Sequence, residues 1–178
     1  MNLGRLVVVV VLGIFLAGCA QQLPSPPSGS AKPPGPVTAN GNGKGDVWRS
    51  LAVVPAGAVM LRPTLPREGD SFQILNVERV NDDLVVTVSY GGGCKEHEFK
   101  AFAPLTFKES NPVKTDVVVV HDANGDLCKT GVVRKLAFGL KPLKDAYQHA
   151  YGRRGKMTLG VYAAGSGEVQ PSGSVVYE

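Results

Sequence analysis

The sequence predicts an all-β domain, an antiparallel β-sandwich of about eight strands with one short α-helix. Three observations carry this. From residue 47 onward, short apolar runs are separated by Gly, Pro, Asn and Asp, the punctuation of strands and turns. Several of those runs alternate with a period of two, which turns one face of a strand inward. Two glycine-bearing corners, Gly91-Gly92-Gly93 and Asn124-Gly125, each lie a few residues from a cysteine.

Taken in order, residues 51–54 and 58–61 are expected strands, interrupted by Pro55-Ala56-Gly57. Residues 72–80 and 84–90 flank Asn81-Asp82-Asp83, which reads as a hairpin turn. In the second of these strands Leu84, Val86, Val88 and Tyr90 alternate with Val85, Thr87 and Ser89. The stretch 97–105 repeats the pattern, with Phe99, Ala101, Ala103 and Leu105 expected inward. Residues 117–120 are apolar on both parities, as in a central strand covered on both sides. Asn124-Gly125 is a strong hairpin signal and is expected to return the chain into 128–140. Pro142 suits the first turn of a helix on which Leu143, Ala146, Tyr147, Ala150 and Tyr151 share one face. Gly152 is placed to end it. So short a helix is not stable alone and must cover a sheet edge or one end of the sandwich. Met157, Leu159 and Val161 mark another strand, and 173–178 the last.

The chain before residue 47 is of another kind. A short positive segment ending at Arg5 precedes the apolar run 6–16, too short for the roughly 20 residues that span a bilayer. Residues 1–18 therefore read as a secretory signal. Its end, Leu16-Ala17-Gly18-Cys19, resembles the lipobox of bacterial lipoproteins. That resemblance implies cleavage before Cys19, lipidation of its thiol, with palmitate among the acyl groups, and acylation of its new amino group. Two or more acyl chains hold a protein on a membrane stably. Residues 19–46, rich in Pro and Gly with few large apolar side chains, form the expected tether, spanning roughly 30 Å. The folded domain is expected over 47–178. Ala20 is not the aspartate that retains some lipoproteins at the inner membrane. The expected location is the cell envelope, anchored to the outer membrane and facing the periplasm or the cell surface.

The formal charge of +4 is made of interspersed acids and bases, which argues against a nucleic-acid partner. Gly-x-Ser-x-Gly, a Walker loop and Gly-x-Gly-x-x-Gly all fail to occur, so no catalytic residue and no organic cofactor is assigned.

With Cys19 lipidated, Cys94 and Cys128 remain, and an oxidising compartment favours a disulfide between them. Closing a loop of about 35 residues stabilises by roughly 3–4 kcal/mol. An alternative is zinc held by Cys94, His97, His121 and Cys128, with spacing only loosely like that of a finger. Another keeps the disulfide and lets His97 and His121, with Asp122 or Asp126, hold a divalent metal. The plainer expectation is that both histidines sit at strand ends and bond turn carbonyls or carboxylates. Asp122-x-Asn124-x-Asp126 opens like a calcium loop, but Leu127 stands where glycine is needed and Val133 where glutamate is needed. Arg153, Arg154 and Lys156 form a basic cluster suited to solvent or to an anionic surface.

Ser89-Tyr90-Gly91-Gly92-Gly93-Cys94-x-x-His97-x-Phe99 resembles the motif of small bacterial envelope lipoproteins of unknown function, the NigD-like proteins among them. His121-Asp122-x-Asn124-Gly125-Asp126-x-Cys128 and the helix start at Leu140-x-Pro142-Leu143 belong with it. The resemblance implies a lipid-anchored β-sandwich with its cysteines paired, and it carries no catalytic residues. Two functions stand against each other at this point. One is a non-catalytic envelope module that binds a partner protein or supports an assembly. The other is a metal-binding protein or metal-dependent enzyme centred on His97 and His121.

Overall fold

The computed structural model describes residues 37–38, 51–167 and 171–178. The signal segment, Cys19 and most of the tether lie outside the described residues. Ten strands and one helix occur among those described: β1 (Val37–Thr38), β2 (Val53–Ala58), β3 (Met60–Arg62), β4 (Gln73–Val80), β5 (Asp83–Gly92), β6 (Glu98–Pro104), β7 (Val113–Asp122), β8 (Thr130–Gly139), α1 (Lys141–Tyr151), β9 (Met157–Ala163) and β10 (Gly173–Tyr177).

The strands form two five-stranded sheets, and the all-β sandwich expectation holds. In the first sheet β8 pairs with β5, and β5 with β4, while β1 and β2 share the other edge of β8. The second runs β10-β9-β7-β6-β3. Leu84, Val86, Val88 and Tyr90 face Phe99, Ala101, Val117, Val119, Leu159 and Val161 across one continuous core. The period-two pattern of β5, β6 and β9 thus does what alternation does, delivering every second side chain to the space between sheets.

Some details depart from the sequence expectation. The sheets are mixed, because β2 with β8, β3 with β6 and β7 with β9 run parallel. Parallel neighbours need a long crossover, and β8 with α1 supplies it between β7 and β9. Pro55 does not break the first strand but lies within β2, whose outer edge can dispense with an N–H. The break falls at Val59, which is buried and donates its N–H to Gly139 O at 3.0 Å, so β2 and β3 pass from one sheet to the other. Leu105 is exposed, since β6 ends at Pro104. Val37–Thr38, inside the stretch expected to be tether, pairs with β8.

Asn124-Gly125 makes the expected tight turn, with φ of 52° and 61° and Asp126 N–H bonded to Ala123 O at 2.9 Å. It is not a hairpin, because β7 and β8 belong to different sheets. The turn instead begins a crossover. The β4–β5 hairpin at Asn81-Asp82 is as expected. So is α1, with Pro142 in its first turn and Gly152 at φ 64° closing it. Leu143 and Tyr147 enter the core, Tyr151 packs near Phe107, and Ala150 is exposed.

Candidate functional site

Two crossovers meet at one end of the sandwich. Residues 93–97 carry the chain from β5 to β6, and 123–129 carry it from β7 to β8. The β5–β8 register pairs Gly92 with Thr130. The next residues but one along each strand are Cys94 and Cys128, so the ladder itself aims them at each other. They are joined in a disulfide with Cα atoms 6.0 Å apart.

The β6–β7 register pairs Phe99 with His121 and Glu98 with Asp122. His97, two residues before Phe99, falls on the same inward face as Phe99 and His121. His97 Nδ1 lies 2.8 Å from His121 Nε2, and His97 Nε2 lies 3.1 Å from Asp126 Oδ2. Asp126 Oδ2 also accepts from the N–H groups of Cys94 and Lys95, each at 2.9 Å, and Oδ1 accepts from Cys128 N–H at 2.9 Å. One carboxylate therefore ties both crossovers and both ends of the disulfide. The Cys128 amide first, then His97 and the Lys95 and Cys94 amides, hold the Asp126 carboxyl well below the usual carboxylate range.

An ionised Asp126 assigns one proton. Its oxygen accepts, so His97 Nε2 donates, and of His97 Nδ1 and His121 Nε2 one donates and the other accepts. His121 Nδ1 is buried without a hydrogen-bond partner in good geometry. Burial first, and His97 next, keep the pKa of His121 below its ordinary 6.5; the backbone of Ser71 and Asp70 offsets part of this without bonding Nδ1 in good geometry. The ring stacks on Phe99 with centroids 4.4 Å apart and planes 8° apart, with Phe72 edge-on at 5.7 Å and Tyr90 at 5.0 Å.

The glycine run has its reason here. A Cβ on Gly92 would stand 2.4 Å from His97 Cε1 and Nε2 and 3.2 Å from Asp126 Oδ2, and Gly92 has φ +150°. Only a residue without a side chain lets the His97–Asp126 pair close over the strand.

The structure brings together Cys94, Cys128, His97, His121 and Asp126, and leaves Asp122 apart. Asp122 is exposed, and its Oδ1 accepts from Asn124 N–H at 2.8 Å, a local turn bond. The calcium-like spacing is thus absorbed by Asp122 and Asp126 each bonding the backbone two residues on. Zinc through the cysteines is not the arrangement found, since the two sulfurs are bonded to each other. His97 turns Nδ1 to His121 and Nε2 to Asp126, so the two histidines and Asp126 meet as a chain of contacts and not around one common point. The side chains of His97 and Asp126 are each 1% exposed, and His97 also borders a small open cleft lined by Glu96, Glu98, Asp122 and Asn124. The basic cluster is split: Lys156 pairs with Glu178 at 2.6 Å, while Arg153 and Arg154 are exposed.

Sequence reasoning missed Asp70, Phe72 and the wall formed by Tyr90. Asp70 Oδ2 accepts from Ala123 N–H at 2.7 Å, and its own N–H donates to His121 O at 2.8 Å. It lies in a segment without periodicity, and nothing local marks it. For Tyr90 the signal existed, in the alternation that ends two residues before Gly92.

No protein-family model and no curated protein matches the chain. Among solved structures it is similar to a NigD-like immunity protein from Bacteroides caccae, at 17% identity and a TM-score of 0.48 over 68% of this chain and 58% of that one. It is similar also to a protein of unknown function from Bacteroides vulgatus, at 13% identity and a TM-score of 0.42 over 71% of this chain and 56% of that one. A third is a candidate lipoprotein from Bacteroides fragilis, at 11% identity and a TM-score of 0.41 over 68% of this chain and 69% of that one. The chain thus spans less than two thirds of the first two proteins, and the similarity carries no residue role or activity.

Proposed function

We propose that the protein is a lipid-anchored cell-envelope module that works by binding rather than by catalysis. One observation carries the second half of that reading. His97, His121 and Asp126, a cluster of the kind that catalysis or a metal would use, are turned on one another and on backbone amides, with the side chains of His97 and Asp126 each 1% exposed. A general base must reach a proton on its substrate, directly or through one water. Here the group acts as a clamp that fixes two crossovers, and the surface beyond it is free to serve a partner.

The anchor rests on Leu16-Ala17-Gly18-Cys19. Its test is fractionation of cells expressing the chain or its Cys19→Ser variant. The native chain is expected in membranes after a high-salt wash. The variant is expected to become soluble or to retain its signal. A processed Cys19→Ser protein that stayed with the membranes at high salt would overturn the anchor.

A further inference from the structure

A cleft of about 960 Å³ lies away from the clamp, on the outer face of the second sheet. Val118 and Tyr162 lie on its floor. Val117, Val119, Val161 and Ala163 point into the core, so Val118 and Tyr162 point outward. Residues 63–67 and 163–167 line it together with Pro104, Thr106, Phe107 and Lys108.

These segments are built rather than slack. Gly165 N–H donates to Arg67 O at 3.0 Å, and Ala164 N–H donates to Val119 O at 2.8 Å. A Cβ on Gly165 would stand 2.9 Å from Gly69 O, so the two backbones touch. Farther on, the segment after Arg67 is pinned by both bonds of Asp70 to β7 and the turn after it. These bonds fix residues 67–70 and 164–165 in place before anything binds, which lowers the ordering cost of binding.

Its chemistry is specific. Leu65, Phe107 and Val118 supply an apolar middle. At one place Lys108 is neutralised by Asp116 at 2.6 Å. Arg67 forms no ion pair among the described residues, so the lining carries one uncompensated positive charge. The floor is the face of a sheet, and the cleft opens to solvent, so an occupant is covered on one side. A small molecule gains its affinity by being enclosed over most of its surface. A segment of a partner protein has no such need, because its other side remains with the partner.

We propose that this cleft binds an extended peptide segment of a partner protein, in which an acidic residue meets Arg67 and a neighbouring aromatic or aliphatic residue packs over Val118 and Phe107. The proposal rests on the binding-module reading and gives that module its site.

The test uses the full chain in phosphatidylcholine nanodiscs and fluorescently labelled synthetic peptides of about ten residues. One alternates Glu with Phe, a second alternates Lys with Phe, and a third alternates Glu with Ser; unlabelled decanoate is the competitor. The Glu–Phe peptide is expected to bind about tenfold more tightly than either of the others, with the advantage over Lys–Phe shrinking in high salt. Arg67→Lys should keep that order, Arg67→Glu should reverse it between the Glu–Phe and Lys–Phe peptides, and Val118→Asp should abolish Glu–Phe binding. Melting curves of each variant show whether it is folded, and Arg67→Lys, the mildest change, keeps the test open if another variant is not. No binding of any peptide, equal affinities, or an unchanged order in Arg67→Glu would overturn the proposal. Displacement of the Glu–Phe peptide by micromolar decanoate would overturn it in favour of a small amphipathic carboxylate. None of these outcomes bears on the anchor, which stands or falls with the Cys19→Ser fractionation.

Discussion

His97, at the end of the crossover into β6, and His121, on the neighbouring strand β7, meet nitrogen to nitrogen at 2.8 Å beside the carboxylate of Asp126. The contact needs one imidazole to donate and the other to accept. It is therefore sensitive to an added proton, and the disulfide beside it is locked by the same carboxylate.

The first prediction is a pH dependence. His121 has a folded pKa below its ordinary 6.5, chiefly through burial. In the unfolded chain it takes a proton as pH falls through 6.5, while in the folded chain it resists. The unfolded state then binds more protons, so stability should be full above about pH 7 and decline as pH drops from about 6.5 towards 5. Asp126 works in the same direction at lower pH: its depressed pKa contributes stability above 3.8 that is lost as pH falls through its folded value. His121→Gln keeps an amide able to donate or accept beside His97 Nδ1 but cannot titrate. Thermal melts at pH 7.5 and 5.5 should show a smaller gap for the variant than for the native chain. An equal gap would place the pH dependence elsewhere.

The second prediction concerns the disulfide. Thiol titration of the unfolded chain without reductant should find Cys94 and Cys128 oxidised. Reduction should lower stability by about 2–4 kcal/mol, and a chelator should change nothing. Exchange with small thiols should be slow. The Asp126 carboxylate sits within 4.8 Å of both sulfurs and opposes a thiolate on either, while the Cys94 and Cys128 amides are already engaged by it. Two free thiols accompanied by one equivalent of zinc in elemental analysis would overturn this.

A third prediction separates two glycines of neighbouring strands. Gly92→Ala drives a methyl into the His97 ring at a positive φ, and should cost about 2 kcal/mol or more. Gly131→Ala meets nothing within 4 Å and should stay within about 0.5 kcal/mol. Chemical denaturation of the pair measures both. Equal effects would mean that the His97–Asp126 closure does not depend on a bare backbone at 92.

Much of the fold was legible in the sequence because its causes are local. Alternation marked β5, β6 and β9, Asn81-Asp82 marked the first hairpin, and Pro142 with Gly152 bracketed α1. Two cysteines left after the lipobox admitted one pairing. Partner strands are another matter, because a turn residue sets a local bend and not the sheet that the next strand joins. Asn124-Gly125 has the backbone of a hairpin turn, yet β8 joins β5 through a ten-residue register rather than β7. That register and the β6–β7 register decided that Cys94 meets Cys128 and that His97 meets His121. Asp126 became the hub, and Asp122 did not, for the same reason. Side chains two to four residues apart in one loop leave in different directions, and only the packed sheets decide which direction is inward.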